Sequence, residues 1–384
     1  MKALNAQWID NIAAVSEDRW QSLLSSDYPF IQHAFLAALE AGNSCCAEQG
    51  WQPQHLLIWQ QERLVAAVPG YEKSHSMGEY FFDWAIAEAY QQCHLDYYPK
   101  WVAAIPFTPV TGPRILTATD INSEQVTTAI NQAIQQRMQE RAWSNAQILY
   151  PSQQQSDQWR DQQQWWQRYD IQFLWHNRGY RDFAEFLAAC TSRKRKQIRK
   201  ERRAVIAQGI DMRCLQGSQL DDDFWQRFEY CYRLTYLKRS GHGGYLTAAT
   251  WQLWRRHMAD SLVAFAAYHD QQMVAAALCF RSSSTLYGRY WGCLNEFDFL
   301  HFEACYYAGI DYCIAHGLRE FDAGAQGEHK LQRGFEPVLR YANYRFANTP
   351  LAPAIADFCQ REQQHVLDYQ QQAQAQLPFR QVNS

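Results

Sequence analysis

Two distant stretches of this chain share one sequence pattern, so the fold must contain the structure that this pattern specifies twice. Residues 55–71 read HLLIWQQERLVAAVPGY, and residues 262–280 read LVAFAAYHDQQMVAAALCF. Each stretch is an apolar run, a short polar turn and a second apolar run with a Val-Ala-Ala core, which is typical of a β-hairpin. The similarity indicates an internal duplication, and 384 residues are enough for two domains.

Each hairpin is followed by the pattern of a βαβ crossover. In the second half, residues 286–293 alternate like a strand, residues 301–316 carry apolar positions at helical spacing, and residues 319–324 form a short apolar strand. The first half repeats this order in residues 100–110, 123–141 and 146–150. The predicted fold class is therefore α/β (α+β), with two tandem domains in which helices flank a mixed central sheet.

The predicted domains are residues 1–169 and residues 170–384. The second is predicted to contain a basic helix over residues 182–207 and to end in a long helix that begins at Ala352. The basic helix includes SRKRKQIRKERR, in which Glu201 is the only acid. Two interpretations of this helix stay open: it could bind RNA phosphates, or it could be a solvated face partly neutralised by neighbouring acids.

Composition and motifs argue against several classes of protein. The net charge of −3 provides no bulk field for a polyanion, and no apolar run is long enough to span a bilayer. The N-terminus lacks the apolar core of a signal peptide, and eleven irregularly spaced cysteines fit reduced thiols. We therefore expect a cytoplasmic protein. The motifs of zinc proteases, serine hydrolases and P-loop proteins do not occur, so no metal site is predicted.

Polar side chains gather at the loop ends of the second crossover. His301 and Glu303 lie at the predicted start of its helix. Five more polar residues follow its second strand: Asp322, Gln326, Glu328, His329 and Lys330. Because ligands of open α/β sheets bind at the carboxyl ends of the strands, we expect the functional site at this edge.

The order of these elements resembles that of a GNAT acyltransferase domain. Two such domains joined by a basic helix resemble the Fem-type peptidyltransferases. Three segments carry this resemblance: SRKRKQIRKERRAVIAQGIDM, the alanine-rich strand Met273–Phe280, and GLREFDAGAQGEHKLQRGFEP. More specifically, PFTPVTGPR, HNRGYRDF and RYWG…HFEACYY resemble segments of bacterial predicted N-acyltransferases called Fem-like. The resemblance implies transfer of an acyl or aminoacyl group to an amine.

Such a transfer needs a base for the amine, a stabilised oxyanion and two aligned substrates. Glu303 is our candidate base, with His301 as the other candidate; the alternatives are an acid that stabilises a helix N-terminus and a histidine near the helix cap. Lys330 is the candidate cation for the oxyanion or for a phosphate, and the alternative is a solvated lysine. Glu328 and His329 are weaker candidates for binding substrate.

Other candidates are expected to bind substrate. Arg289, Tyr290 and Trp291 could line an acceptor cleft or simply pack within the sheet. Asp322 ends a buried strand, where a carboxylate needs a partner, so it could form a structural pair with Arg289 or Lys330 instead of taking part in chemistry.

Two further positions lie outside the crossover. Arg114 follows Thr111-Gly112-Pro113 and could hold a phosphate or form a salt bridge within its loop. Lys238 and Arg239 precede a glycine-rich segment that is either a lid on the substrate or a turn between helices.

The acyl donor is left open between acyl-CoA and aminoacyl-tRNA. GNAT domains that use CoA bind its pyrophosphate with a glycine-rich loop, whereas the equivalent residues 294–301 contain no glycine and residues 108–114 contain one, followed by proline. Fem-type enzymes take the acyl group from aminoacyl-tRNA, which makes tRNA a candidate partner. The expected acceptor is a small molecule or a peptide amine, such as a peptidoglycan precursor. The alternative is a non-catalytic module that recognises an anionic cell-wall precursor.

Overall fold

The computed structural model describes residues 3–162, 164–325, 327–347 and 350–380. The candidate Gln326 therefore lies outside the described residues. The chain divides into two compact units. The first comprises Met1–Asp170 and Leu339–Asp368, and the second comprises Ile171–Val338 and Tyr369–Ser384. The predicted second domain differs from this division at residues 339–368, which belong to the first unit because their strand pairs there.

The strands of the described residues are β1 (Leu4–Ile9), β2 (Trp51–Pro53), β3 (His55–Gln60), β4 (Arg63–Val68), β5 (Tyr71–Lys73), β6 (Lys100–Ala103), β7 (Leu116–Thr117), β8 (Asn145–Leu149), β9 (Trp166–His176), β10 (Asp211–Gln216), β11 (Leu262–His269), β12 (Gln272–Arg281), β13 (Thr285–Cys293), β14 (Glu320–Asp322) and β15 (Glu336–Phe346). The α-helices are α1 (Glu17–Gln21), α2 (His33–Ala41), α3 (Trp84–Gln92), α4 (Ser123–Glu140), α5 (Gln153–Arg160), α6 (Phe183–Ala189), α7 (Ser192–Ala207), α8 (Asp222–Ser240), α9 (Ala248–His257), α10 (Leu300–Phe302), α11 (Ala308–Ala315) and α12 (Ala352–Gln374).

The first unit contains two sheets. One is antiparallel in the order β1–β3–β4–β7, and the other is mixed in the order β15–β8–β6–β5–β2. The predicted hairpin β3/β4 and the predicted crossover β6–α4–β8 are both present, but they lie in different sheets. Pro69-Gly70 explains the separation, because proline lacks the N–H that a continuous ladder needs between β4 and β5.

The second unit has one mixed sheet, in the order β10–β11–β12–β13–β14 and then the end of β9. Here the hairpin β11/β12 and the crossover share the sheet, because β12 pairs with β13 along its length. β13 and β14 are parallel and are joined by a helix that runs through α10, a π-helical turn over Glu303–Tyr307 and α11. Such π-helical turns are rare and are frequent at functional sites.

The crossover helix packs very closely onto the sheet. A Cβ atom on Gly309 would lie 2.3 Å from the ring of Phe321, so glycine lets α11 approach β14. Phe321 and Ile310 belong to one buried apolar core of the second unit. The first unit has separate cores of its own, one of them around Trp101 and Trp143.

Two predicted helices differ from the structure. The basic helix predicted over residues 182–207 is divided into α6 and α7, because Cys190 is extended and Thr191 donates its N–H to the carbonyl of Pro378 at 2.8 Å. Residues 152–169, whose polar, tryptophan-bearing sequence also predicts a helix, form α5 only as far as Arg160, and β9 begins at Trp166. Within the described ranges, no helix combines the length and the apolar character needed to cross a membrane.

Candidate functional site

A small cavity lies in the second unit, where β13 and β14 separate. Thr285–Tyr287 of β13 pair with Glu320–Asp322 of β14, but β14 ends there whereas β13 continues to Cys293. The diverging strands leave a small, partly open space of about 100 Å³. It is lined by small, aromatic and titratable residues: Ala277, Cys279, Gly288, Arg289, Tyr290, Trp291, His301, Cys305, Tyr306 and Ala323.

A β-bulge shapes one wall of this cavity. Leu278 of β12 faces Tyr290, whereas the next residue, Cys279, faces Gly288, which leaves Arg289 as the additional residue of β13. Bulges bend a strand and re-aim side chains, often beside functional sites. The bulge therefore explains why Arg289, Tyr290 and Gly288 all line the cavity.

His301 lies against the opposite wall. Its ring packs edge-on against Trp291, at 5.3 Å between centroids, and against Tyr306, at 5.5 Å. Burial lowers the pKa of the His301 imidazole to about 4, and neighbouring positive charges, foremost that of Arg239, act in the same direction. The imidazole is therefore neutral at neutral pH and can accept a proton.

Tyr306 and His329 form a hydrogen-bonded pair next to the cavity. The Tyr306 Oη atom lies 2.8 Å from Nε2 of His329. Burial raises the pKa of the Tyr306 hydroxyl, so this group keeps its proton and can donate a hydrogen bond. His329, predicted to bind substrate, does not line the cavity itself, and we assign it to the support of Tyr306.

Lys330 is buried, with an exposed fraction of 1%, so the alternative of a solvated lysine does not apply. Its Nζ atom donates to the carbonyl of Gly324 at 2.6 Å. Asp322 accepts from the N–H of Gly324 at 3.1 Å, so both side chains hold the turn that follows β14. The Nζ atom of Lys330 also lies 6.0 Å from the centroid of the Tyr306 ring, which places it beside the cavity.

Glu303, the first candidate for the base, does not line the cavity. Its carboxylate accepts hydrogen bonds from Arg202 of α7, with the shortest at 2.8 Å, and Arg202 also binds Asp311 at 2.7 Å. Burial raises the pKa of Glu303, and the charge of Arg202 opposes this. The structure thus gives Glu303 an ion pair that joins α7 to the crossover helix.

The remaining candidates of the second unit divide into wall and surface residues. Tyr290 lines the cavity. Its ring also packs on that of Trp251, with 5.1 Å between the centroids, which attaches β13 to α9. Glu328 is exposed and accepts from the Tyr369 hydroxyl at 2.7 Å. Arg239 is exposed, but its charge reaches His301.

Lys238 is exposed in the last turn of α8 and is not among the residues that line the cavity. The glycine-rich segment after it begins with Gly241, which ends the helix in the left-handed conformation, with φ of 73°. This is the usual way for a helix to stop at glycine, and it fits the alternative of a turn between helices.

Arg114 belongs to the first unit and does not lie in an open phosphate site. It is fully buried, its Nε donates to the carbonyl of Leu149 at 2.7 Å, and one of its NH2 groups donates to the carbonyl of Val110 at 2.5 Å. The prediction of a phosphate ligand is therefore not supported, and neither is a loop salt bridge, because its partners are backbone carbonyls.

Sequence reasoning did not single out Tyr306, Cys305 or Arg333. The first two lie on the cavity wall, and Arg333 is buried between Glu201, at 2.9 Å, and the ring of Phe302, at 3.5 Å. The apolar spacing of the helix identified Tyr306 and Cys305 only as core positions. Among the described residues, no group of three or more His, Cys, Asp or Glu side chains is placed to hold a metal ion.

Several solved structures are similar to this chain. FemX has 11% identity and a TM-score of 0.51, with 91% of this chain and 100% of FemX covered. A tandem GNAT protein from the clavulanic acid biosynthesis pathway has 8% identity and a TM-score of 0.47, over 89% of this chain and 98% of that protein. L-PGS from Bacillus licheniformis has 10% identity and a TM-score of 0.45, over 78% of this chain and 86% of that protein. No curated protein matches the chain.

The likeness to FemX confirms the predicted fold class, an α/β chain of mixed sheets flanked by helices. The predicted resemblance to Fem-like proteins is confirmed as well, because residues 11–381 match a family described as peptidoglycan biosynthesis/recognition. That match leaves only short ends of the sequence uncovered, so the chain belongs to the FemAB-like family.

Proposed function

We propose that this protein transfers an acyl or aminoacyl group to an amine acceptor, in the cavity of the second unit. The observation that carries the proposal is the meeting of three groups at the point where β13 and β14 diverge. Two of them line the cavity: His301, with a neutral imidazole, and Tyr306, with a protonated hydroxyl. The third, the buried Lys330, lies beside the cavity, with its Nζ atom 6.0 Å from the centroid of the Tyr306 ring. They match what acyl transfer needs: a proton acceptor, a hydrogen-bond donor and a positive charge.

In the proposed reaction, the acceptor nitrogen attacks the acyl carbonyl carbon and forms a tetrahedral adduct. The adduct carries an ammonium, which is far more acidic than a free amine, and His301 takes its proton. A pKa of about 4 makes His301 a weak base, but it also ensures that the imidazole is free to accept a proton at neutral pH.

The oxyanion of the adduct is stabilised by Lys330 and by the hydroxyl of Tyr306. Buried charges and donors that are fixed before the reaction are the most effective, because they need little reorganisation. Lys330 and Tyr306 are fixed by Gly324 and His329 respectively. When the adduct collapses, the amide carbonyl forms, the bond to the donor's sulfur or oxygen breaks, and His301 passes the proton that it took to the leaving atom.

For the donor, we favour aminoacyl-tRNA over acyl-CoA. The residues that lead from β13 into α10, LNEFDFLH, lack the glycines of a CoA loop, and α7 presents exposed cations that fit a polyanion. The family description points to a peptidoglycan precursor as the amine acceptor.

The test is transfer by the purified full-length chain. Acetyl-CoA and a set of aminoacyl-tRNAs are offered with a peptidoglycan-precursor peptide, and the product is identified by mass spectrometry. His301→Gln, Tyr306→Phe and Lys330→Met should each lower the rate about 100-fold or more. His257→Gln and Tyr230→Phe, exposed positions outside the cavity, are the matched controls.

Two outcomes would overturn the proposal. Transfer that survives all three cavity substitutions would remove the site. Binding of the precursor peptide without turnover under any donor would favour the non-catalytic recognition module.

A further inference from the structure

The first unit has a surface groove that the proposed chemistry does not use. It has a volume of about 800 Å³, which is within the usual range for small-molecule sites. One side is formed by α3 and the other by the loop that follows it. Its lining includes Trp84, Glu88, Gln91, Asp96, Tyr97 and Tyr98.

An exposed aromatic pair lies at the start of α3. Trp84 is 52% exposed and Phe82 is 49% exposed, which is unusual for such large apolar side chains. Their ring centroids are 6.3 Å apart and their planes differ by 22°. Nearly parallel rings offer an open aromatic face, whereas recognition of a cation uses rings that enclose it.

The floor beneath this pair is held by a buried ionic network. Asp83, which precedes Trp84, accepts from Lys100 at 2.6 Å and from the hydroxyl of Tyr97 at 2.6 Å. Lys100 also binds Glu79 at 2.8 Å. Because these groups are buried and paired, the groove is fixed before any ligand binds, which reduces the entropy cost of binding.

The polar side chains of the groove are carboxylates, an amide, the imidazole of His94 and the hydroxyls of two tyrosines. Glu88, Gln91 and Asp96 are exposed along it, and none of the lining residues, all within the described part of the chain, is Lys or Arg. A phosphate or a nucleic acid would therefore find carboxylates here and no ammonium or guanidinium group. A neutral ligand rich in hydroxyl and amide groups would find hydrogen-bond partners beside an aromatic face.

We propose that this groove binds a saccharide, specifically an N-acetylhexosamine unit. The C–H face of a sugar ring carries partial positive charge and stacks on the negative face of an indole. Its hydroxyl groups would donate to Glu88 and Asp96, and Gln91 would bind the acetamido group. The choice of an amino sugar rests on the proposed function, whose acceptor belongs to peptidoglycan synthesis.

The experiment measures binding of the N-acetylglucosamine trisaccharide to the full-length chain by calorimetry, with no acyl donor present. We expect saturable binding, and Trp84→Ala should weaken it about tenfold or more. Trp84→Phe should keep part of the affinity, and Glu88→Ala should weaken binding with less risk to the fold. Tyr230→Ala, at a 59% exposed aromatic position of the second unit, is the matched control.

Because no donor is present, the result is independent of transfer activity. Binding that depends on Trp84 supports the groove even if the chain transfers nothing. The proposal is overturned if the trisaccharide does not bind at millimolar concentration, if Trp84→Ala and Glu88→Ala bind it like the parent chain, or if maltotriose binds equally well. A lysine-rich peptide that binds in its place would also overturn it, since the acidic side chains would then be selecting a cation.

Discussion

Glu303 shows at the scale of one residue how a titratable group in the expected place can have a structural task. Its position at the start of the crossover helix fits a general base, and the sequence offers no sign of its partner. The partner is Arg202, about a hundred residues earlier in the chain, and only the packing of α7 brings the two together. Both oxygens of the carboxylate accept from Arg202 and Glu303 does not line the cavity, so it is poorly placed to take a proton from a substrate.

Replacing Glu303 tests this assignment. We expect Glu303→Ala to lower the free energy of unfolding by about 1–3 kcal/mol, because the partly buried Arg202 would lose one of its two carboxylate partners. Urea unfolding measures the change in free energy. The stability of Glu303→Gln should lie between that of the parent protein and that of Glu303→Ala. Turnover lost in Glu303→Ala with unchanged stability would contradict the structural role.

His301 should make stability depend on pH. The folded chain holds the His301 pKa at about 4, below the ordinary value of 6.5, so the unfolded chain takes up the proton first as the pH falls. Stability is therefore lost between about pH 6.5 and pH 4, and His301→Gln should lose less over the same window. Urea unfolding at pH 7 and pH 4.5 compares the two chains, with His257→Gln as the control. Equal losses would show that His301 is not held neutral.

The residues of the cavity could be predicted in part. Polar residues at the ends of β13 and β14 were identified because strand topology fixes where such ends lie. Tyr306 was missed, because its helical spacing reads as core and its role depends on the distance to His329. The bulge at Arg289 was missed for a similar reason, since a register shift is visible only once both strands are paired.

At the scale of elements, the close packing of α8 on β13 depends on one glycine. A Cβ atom on Gly292 would lie 2.5 Å from backbone atoms of Cys231 and Tyr232, and backbone cannot move aside as a side chain can. The N–H of Cys293 also donates to the Thr235 hydroxyl at 3.1 Å. Together these contacts fix the strand that carries Arg289.

Gly292→Ala should therefore destabilise the protein by about 1–3 kcal/mol or more, as overpacking does. Thermal unfolding measures the change. Gly243→Ala is the matched control, because a Cβ atom there would have only Arg233 nearby, at 3.8 Å. A neutral Gly292→Ala would mean that α8 lies farther from β13 than the structure places it.

The outer face of α7 is the second element with a testable role. Its inner charges are paired, since Glu201 binds Arg333 and Arg202 binds Glu303. Five cations remain exposed, and none has an ion pair with any residue that the structure describes: Arg193, Lys196, Arg199, Lys200 and Arg203. Of the two interpretations of the basic helix, neutralisation by neighbouring acids applies to the inner face alone.

Charge reversal should weaken the binding of tRNA. We expect Arg199→Glu with Arg203→Glu to reduce the slope of log affinity against log salt by about 2, since about one counterion is released per phosphate contact. Fluorescence anisotropy over a salt series measures the slope. Arg256→Glu reverses an exposed charge on α9 and should leave it unchanged. Equal slopes in all three chains would exclude α7 as a polyanion site.

At the scale of the whole molecule, the chain returns to its first unit near its end. Arg168 is 3% exposed and binds Glu362, with Nε at 2.8 Å from the carboxylate. The guanidinium also lies over the rings of Phe81 and Tyr344, at 5.3 and 4.9 Å from their centroids. This pair links residues far apart in sequence within one folded unit.

Glu362→Ala should cost about 3 kcal/mol in the free energy of unfolding, because it leaves the buried Arg168 charge without its carboxylate. Asp357→Ala, which removes an exposed pair with Arg361 on the same helix, should change little. Urea unfolding compares the two. A small effect of Glu362→Ala would argue against the assignment of residues 339–368 to the first unit.

The architecture was the most predictable property of the molecule. Repeated hairpins and crossovers are local patterns, so sequence periodicity reveals them. The return of residues 339–368 to the first unit depends on pairing between distant strands, and the division into two sheets depends on Pro69-Gly70. Neither follows from periodicity, although the proline offered a hint.

Arg114 gives the duplicated scaffold an asymmetry. In the first unit, its guanidinium is bound to the carbonyl of Leu149, the last residue of β8, at the strand end that opens onto the cavity in the second unit. In the first unit, this strand end is thus occupied by a side chain of the protein itself. A ligand could enter there only by displacing a fully buried guanidinium from its hydrogen bonds. The equivalent strand ends of the two units are therefore not equivalent as ligand sites.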